Sequence, residues 1–153
     1  VYDGEPIGDT KLRINDGLLE VSGSVLANID SEWLATNDLA RFADDGKLEI
    51  LGRADRVINS GGLKVSLDRV EEISREIAGV VEIAAVAIED AEFGQRVAIG
   101  FEGTPEVSEA ISEHLVEIIG REAKPKKIQQ FRDLPRLSSQ KLDLQKIQSI
   151  LSE

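Results

Sequence analysis

Cysteine and methionine are absent from the 153 residues, and histidine and tryptophan occur once each. Without cysteine there can be no disulfide, no thiolate metal ligand and no thiol nucleophile. That usage fits a reducing compartment, so a cytoplasmic location is expected. A single histidine, His114, argues against a histidine-built metal centre or a Ser-His relay. No apolar run approaches the roughly 20 residues of a membrane span. No basic segment followed by an apolar stretch opens the sequence as a secretory signal would. Basic residues are outnumbered, 18 against 29 acidic, for a net charge of -11. Such a field repels a phosphate backbone, so nucleic acid is not an expected partner. Chemistry must rest on Lys, Arg, Asp, Glu, Ser, Thr and backbone amides.

What is present is enough for a folded chain. Apolar residues make up 41%, which supports a hydrophobic core. The length fits one ordinary domain or two small ones. The chain begins at Val1, and its opening VYDGEPIGDTKLRI already alternates at Leu12 and Ile14 as a strand does. That reads as mid-domain sequence, and a fragment of a longer protein is the expectation.

Residues 11–51 read as short strands separated by turns. Lys11–Ile14 and Leu18–Val21 flank NDG, and Leu39–Phe42 and Lys47–Leu51 flank ADDG, two hairpin signals. No helical period precedes residue 65. From Leu67 the spacing changes: Leu67, Val70, Ile73 and Ile77 share one helix face, Ser66 is placed as its cap, and Gly79 as its stop. Val80–Ile88 reads as a buried strand and Arg96–Phe101 as a half-buried one, with EDAEFGQ as the loop between them. Thr104-Pro105 predicts a helix start, with Val107, Ile111, Leu115 and Ile118 as its buried stripe and Gly120 near its end. Lys127–Phe131 reads as a short strand, RDLPRLSSQKLD as an exposed loop, and 144–152 as a final helix. The fold class expected is α+β. A small β-rich segment, residues 1–53, precedes a small α+β domain, residues 54–153, of order strand, helix, strand, strand, helix, strand, loop, helix.

Three stretches carry candidate chemistry, each with an ordinary structural reading beside it. In GRADRVINSGGLKVS, residues 52–66, Gly61-Gly62 can form a type II or primed turn. It can equally let bare backbone approach a ligand, since no Cβ stands in the way. Arg53 offers a planar fork of donors to a phosphate or ribose. In WLATNDLARF, Asp38 sits at the mouth of a strand, where it either closes a turn or takes both hydroxyls of a ribose. In LPRLSSQKLDL, Lys141 is either a solvated lysine or a mobile ammonium brought to a transferring phosphoryl group. His114 reads as a boundary residue, Glu71-Glu72 as a solvated helix face, and Lys124, Lys126 and Lys127 as a surface patch able to meet an anionic tail.

Taken in order, the stretches TNDL, DDGKLEILGRADRVINSGGLKVS followed by VE, and LPRLSSQK resemble the AMP-forming acyl-CoA synthetase family: acyl- and aryl-CoA ligases, adenylation domains and luciferases. The resemblance covers nearly the whole chain. It implies the C-terminal piece of such an enzyme: residues 1–53 as the last β-rich part of the large domain, and the remainder as its small mobile lid. The Gly-rich phosphate loop and the aromatic-Gly-x-Thr-Glu motif of that large domain are not in this sequence. In the family's scheme a carboxylic acid attacks the α-phosphate of Mg-ATP, an acyl-adenylate forms, and CoA displaces AMP. The resemblance implies ATP, Mg2+ held through the phosphates, and CoA, with a carboxylic acid substrate and the missing N-terminal domain as partners. It makes Asp38 and Arg53 nucleotide-binding, Asp55 the hinge, and Gly61, Gly62 and Lys64 part of the CoA tunnel. It makes Lys141 the catalytic lysine that reaches the α-phosphate. Asn37 and Gln140 depart from the pattern, because the family usually has Gly at each position, where φ > 0 would be free of strain. The opening YDGEP resembles the o-succinylbenzoate–CoA ligase branch, which serves menaquinone biosynthesis. Two alternatives remain open: a catalytically degenerate interaction or regulatory relative, and an adenylation domain that loads a carrier protein.

Overall fold

The computed structural model describes residues 3–26 and 32–153; Val1 and Tyr2, which open the YDG stretch, lie outside the described residues. The chain divides into two compact units, Val1–Arg56 and Val57–Glu153. Asp55 thus falls at the end of the first unit.

The first unit is a four-stranded antiparallel sheet in the order β1-β2-β3-β4, with β1 Lys11–Asn15, β2 Leu18–Ser22, β3 Leu34–Phe42 and β4 Leu48–Arg53. The NDG signal forms the two-residue turn between β1 and β2. Asp16 and Gly17 have φ of 48° and 80°, the two positive values that a type I′ turn needs to follow the strands' twist. The register shifts between Leu18 and Glu20 on β2 and between Leu39 and Ala40 on β3, irregularities that bend strands and re-aim side chains. β3 begins five residues before the expected Leu39, so Asp38 lies inside the strand and not at its mouth. The core here is Leu19, Ala40 and Leu48, with Leu12, Ile14 and Val21 packed against them.

The second unit is a five-stranded sheet flanked by three helices. Its strands are β5 Val57–Ser60, β6 Leu63–Ser66, β7 Val80–Asp90, β8 Gly94–Gly103 and β9 Lys127–Gln130. They run β6-β5-β8-β7, with β9 pairing parallel to β8. The sequence reading placed one strand ahead of the first helix; there are two, joined at Gly61-Gly62. α1 is Leu67–Arg75, capped by Ser66, whose hydroxyl accepts from the Arg69 amide at 3.3 Å. α2 is Val107–Ile118, two residues later than Thr104-Pro105 suggested. Ile118 is exposed, and Ile119 packs on the core in its place. α3 is Leu144–Ser152, capped by Asp143.

Alternation along β7 and β8 sends side chains to two cores. Ile83, Ala85, Val97, Ile99 and Phe101 pack with α1 and α2. Ala84, Val86, Ile88 and Ala98 pack with Leu134, Ile147 and Leu151 on the side of α3. Full burial on both faces explains why β7 reads as an apolar run; β8, expected from its alternation to be half-buried, is also buried on both faces, because Ala98 between Val97 and Ile99 is covered on the α3 side. The RDLPRLSSQKLD segment is not wholly exposed. Leu134 is buried, and Arg136 and Leu142 pair as a short bridge.

Candidate functional site

On the first unit, strand pairing brings three of the expected residues together. Asp38 on β3 lies directly opposite Arg53 on β4, and their nearest charged atoms are 3.9 Å apart. Arg53 ends β4, and the chain then makes one turn of 3-10 helix, Ala54–Arg56. That turn folds Asp55 back onto the guanidinium. Arg53 donates from Nε to Asp55 Oδ1 at 3.1 Å and from a terminal nitrogen to Oδ2 at 3.3 Å, the two-pronged geometry that suits a carboxylate. The hydrogen bond from Arg53 is the main reason the Asp55 carboxyl sits below its ordinary pKa. Asp38 is anchored through its backbone: the Thr36 hydroxyl accepts from the Asp38 amide at 3.2 Å and donates to Leu19 O at 2.9 Å. The result is a cation held between two carboxylates, with the half-exposed Asp38 oxygens open to neighbouring hydroxyl groups. Asn37 lies in the extended strand and is not among the positive-φ residues, so its departure from glycine carries no backbone penalty.

On the second unit, Gly61 and Gly62 form the turn of the β5–β6 hairpin, with φ of 61° and 88°. Asn59 fixes that turn, its side-chain oxygen accepting from the Gly62 amide at 2.9 Å. The Gly61 amide donates to Phe93 O at 2.9 Å. A Cβ on Gly61 would lie 2.7 Å from the Phe93 ring, whereas one on Gly62 would meet nothing within 4 Å. Gly61 is thus required by a close approach and Gly62 presents open backbone. Lys64 is exposed on β6, in register with Asn59. The β7–β8 turn against which this hairpin rests is held by Asp90. Its carboxylate accepts from the Glu92 and Phe93 amides at 3.0 and 2.9 Å and pairs with Lys126 at 2.8 Å. With Lys126 as the largest influence and the Phe93 amide next, the Asp90 pKa falls to about 2. Asn59, Asp90 and Phe93 are positioning residues that the sequence reading missed. An Asn two residues before Gly-Gly and an Asp opening a short loop were the signals available.

Lys141 lies elsewhere on this unit, in a small hairpin ahead of α3. The Leu137 amide donates to Lys141 O at 2.8 Å, and the Gln140 amide to Leu137 O at 2.9 Å. Residues 138–140 therefore form a three-residue loop, and Gln140 takes φ of 68°. The third residue of such a loop is normally left-handed and usually Gly, so this departure from glycine, unlike Asn37, falls where glycine would matter. His114 lies within α2 beside its buried stripe, partly exposed and 3.8 Å from Glu76 and from Glu117. Lys126 is taken up by Asp90, which removes it from the Lys124–Lys127 patch as an independent cation. No helix among the described residues is long and apolar enough to cross a membrane.

Comparison with known proteins finds relatives over most of the chain. No family model matches the chain. A probable 2-succinylbenzoate–CoA ligase of Mycobacterium tuberculosis is 30% identical over 161 residues, covering 94% of this chain and 42% of that protein. An acetyl-coenzyme A synthetase of Chlorobaculum tepidum is 32% identical over 113 residues, covering 70% of this chain and 17% of that protein. Among solved structures, the o-succinylbenzoate CoA synthetase of Bacillus subtilis, in complex with its acyl-adenylate intermediate, superposes with a TM-score of 0.82. It is 23% identical, over 94% of this chain and 34% of that one. The amide bond synthetase of Marinactinospora thermotolerans superposes at 0.81 and 20% identity, over 98% and 36%. The chain spans less than half the length of these proteins.

Proposed function

For a chain homologous to the C-terminal portion of AMP-forming acyl-CoA ligases, we propose a part in ATP-dependent activation of a carboxylic acid and its transfer to CoA. In the first half-reaction a carboxylate oxygen of the acid attacks the α-phosphorus of ATP, the α–β anhydride bond breaks, and pyrophosphate leaves. In the second, the CoA sulfur attacks the acyl carbon and AMP leaves. Asp38 accepts hydrogen bonds from the ribose hydroxyls, and Arg53 lies beside the ribose and phosphate. Lys141 neutralises charge that builds on the α-phosphate, the role a compact ammonium on a flexible stem performs well. Gly61 and Gly62 offer the pantetheine arm a wall of bare backbone, with Lys64 beside it. Asp55 is the pivot about which residues 57–153 move between the half-reactions, a gating step. Mg2+ is proposed to enter bound through the ATP phosphates. The acid proposed is o-succinylbenzoate, the protein a cytoplasmic one, and the chain alone inactive without an N-terminal domain.

The observation that carries this reading is the 30% identity running over 94% of the chain, with Asp38, Arg53, Asp55, Gly61, Gly62 and Lys141 in order along it. The test is pyrophosphate exchange by the full-length enzyme with o-succinylbenzoate, followed by thioester formation from supplied acyl-adenylate. Lys141→Ala should slow the exchange by about a hundredfold or more and leave the thioester step largely intact. Equal loss in both steps would remove the role assigned to Lys141. Absence of acid-dependent exchange would favour a degenerate relative, for which the strained Gln140 is the supporting observation. Acyl transfer to a phosphopantetheinyl carrier, but not to free CoA, would make it a carrier-loading domain.

A further inference from the structure

The loop that carries Lys141 holds a residue whose backbone works against its side chain. Gln140 has φ of 68°, a conformation in which a Cβ crowds the neighbouring carbonyl oxygen and which glycine adopts freely. Such strain persists only where the surroundings over-determine it. Here the surroundings can be named. Arg136 donates from one terminal nitrogen to Gln140 O at 3.0 Å, and its other terminal nitrogen lies 3.6 Å from Glu82 Oε2. Glu82 lies on β7 directly opposite Glu102 on β8, and two like charges so placed repel. Each is answered by the same loop: Glu102 Oε1 accepts from the Leu134 amide at 2.7 Å, and Glu82 faces the Arg136 guanidinium. The base of the loop is therefore fixed to the sheet at two points, and the second point reaches across to the strained carbonyl.

We propose that Arg136 is the positioning residue for Lys141: bridging Glu82 and the Gln140 carbonyl, it holds the left-handed turn that a glycine would adopt unaided, and so fixes where the Lys141 ammonium is presented. This rests on the reading of Lys141 as the lysine that meets the α-phosphate. Arg suits the task because its planar fork serves two acceptors at once, which a lysine's point charge does not. The loop thereby replaces a backbone solution with a side-chain one.

The experiment is a rescue. In the full-length enzyme, adenylate formation and thioester formation from supplied adenylate are measured for Arg136→Ala, Gln140→Gly and the double variant, with Lys141→Ala as reference. Arg136→Ala should slow adenylate formation by about tenfold or more, as misplacement of a reacting group does, and spare the thioester step. Adding Gln140→Gly should restore most of the loss, because glycine holds the turn without the clamp. Glu82→Gln, which keeps the side chain's shape, should give a smaller loss in the same direction. A purely structural Arg136 would lower both half-reactions together, or would not be rescued by glycine, and either result overturns the proposal.

The chain itself gives a second readout. In its NMR spectra Gln140 should show the strong intraresidue amide-to-Hα contact of a positive φ, and Arg136→Ala should weaken it. Persistence of that contact in Arg136→Ala also overturns the proposal. If Lys141→Ala leaves adenylation untouched, the reading of Lys141 fails alone, and the NMR comparison still decides whether Arg136 holds the turn.

Discussion

The two units hold their candidate residues by different means. Among the described residues, the sheet of the first unit buries only Leu19, Ala40 and Leu48 as its core, and Phe42, Ile50 and Leu51 stand exposed. Its Asp38, Arg53 and Asp55 are fixed by strand register, a 3-10 turn and charge-assisted hydrogen bonds. The sheet of the second unit is covered on both faces, so its Gly61-Gly62 turn and Lys141 loop hang from a packed body. Where apolar burial is small, polar geometry near the surface must set the site, and such geometry yields readily to solvent and to rearrangement. Where burial is large, the body stays rigid and only its loops are adjustable.

The most direct way to break this contrast is to cut the chain. Residues 57–153 produced alone should unfold cooperatively on heating, followed by circular dichroism and calorimetry. Residues 1–56 alone should show no cooperative transition, because so short a chain with so thin a core falls near the lower limit for independent folding. A sharp melt from 1–56 would remove the contrast. Single substitutions sharpen it. Phe101→Ala, at a fully buried site, should cost about 3–5 kcal/mol in denaturant unfolding. Ile50→Ala, at a side chain 54% exposed, should change stability by no more than about 0.5 kcal/mol.

The same contrast runs through what the sequence made legible. Leu67, Val70 and Ile73 were readable as a helix face because they are buried in a deep core, and Ser66 as a cap because the first turn needs an acceptor. The β5–β6 hairpin was read as one strand, since four-residue strands are too short to show a period. The spacing from Leu115 predicts Ile118 as core; the helix ends there, and Ile119 turns inward instead. Leu134 was lost in an aperiodic loop, where a lone apolar residue has no pattern to mark it. For the site, residue types and order were legible, but their partners were not. That Asp38 faces Arg53 depends on a strand register interrupted by an irregularity. That Arg136 reaches both Gln140 and Glu82 depends on contacts 4 and 54 positions away in the chain.

The two primed hairpin turns, one per unit, allow a matched comparison of intermediate size. Gly17 and Gly61 both have positive φ, but a Cβ on Gly17 would meet only Leu39 at 3.6 Å, whereas one on Gly61 would strike the Phe93 ring at 2.7 Å. Gly17→Ala should cost about 1 kcal/mol from backbone strain alone. Gly61→Ala should cost about 2 kcal/mol or more, since strain and clash act together. Phe93→Ala in the Gly61→Ala background should recover the difference, as a double-mutant cycle would measure. Equal costs at the two glycines would mean that the β5–β6 turn does not bear on Phe93.

The smallest effect concerns Asp90, the anchor of the turn on which that hairpin rests. Its carboxyl falls to about 2 in the folded chain, against an ordinary value of 3.8, chiefly because Lys126 and the Phe93 amide favour the charged form. Between those two values the unfolded chain binds more protons than the folded one, so stability rises with pH across that window. The contribution is complete above about pH 4 and disappears as pH falls toward about 2. Asp90→Asn keeps an oxygen for the Glu92 and Phe93 amides but removes the charge that meets Lys126. The difference between wild-type and Asp90→Asn stabilities, from urea unfolding at successive pH values, should therefore shrink from about pH 4 to about pH 2 and stay constant above it. Added salt should reduce the difference only modestly, because the Asp90 side chain is 11% exposed and screened less than a surface pair. A difference that does not vary with pH would mean that the Asp90 carboxylate holds the turn through its shape alone, and that the second unit fixes this edge of its sheet without help from charge.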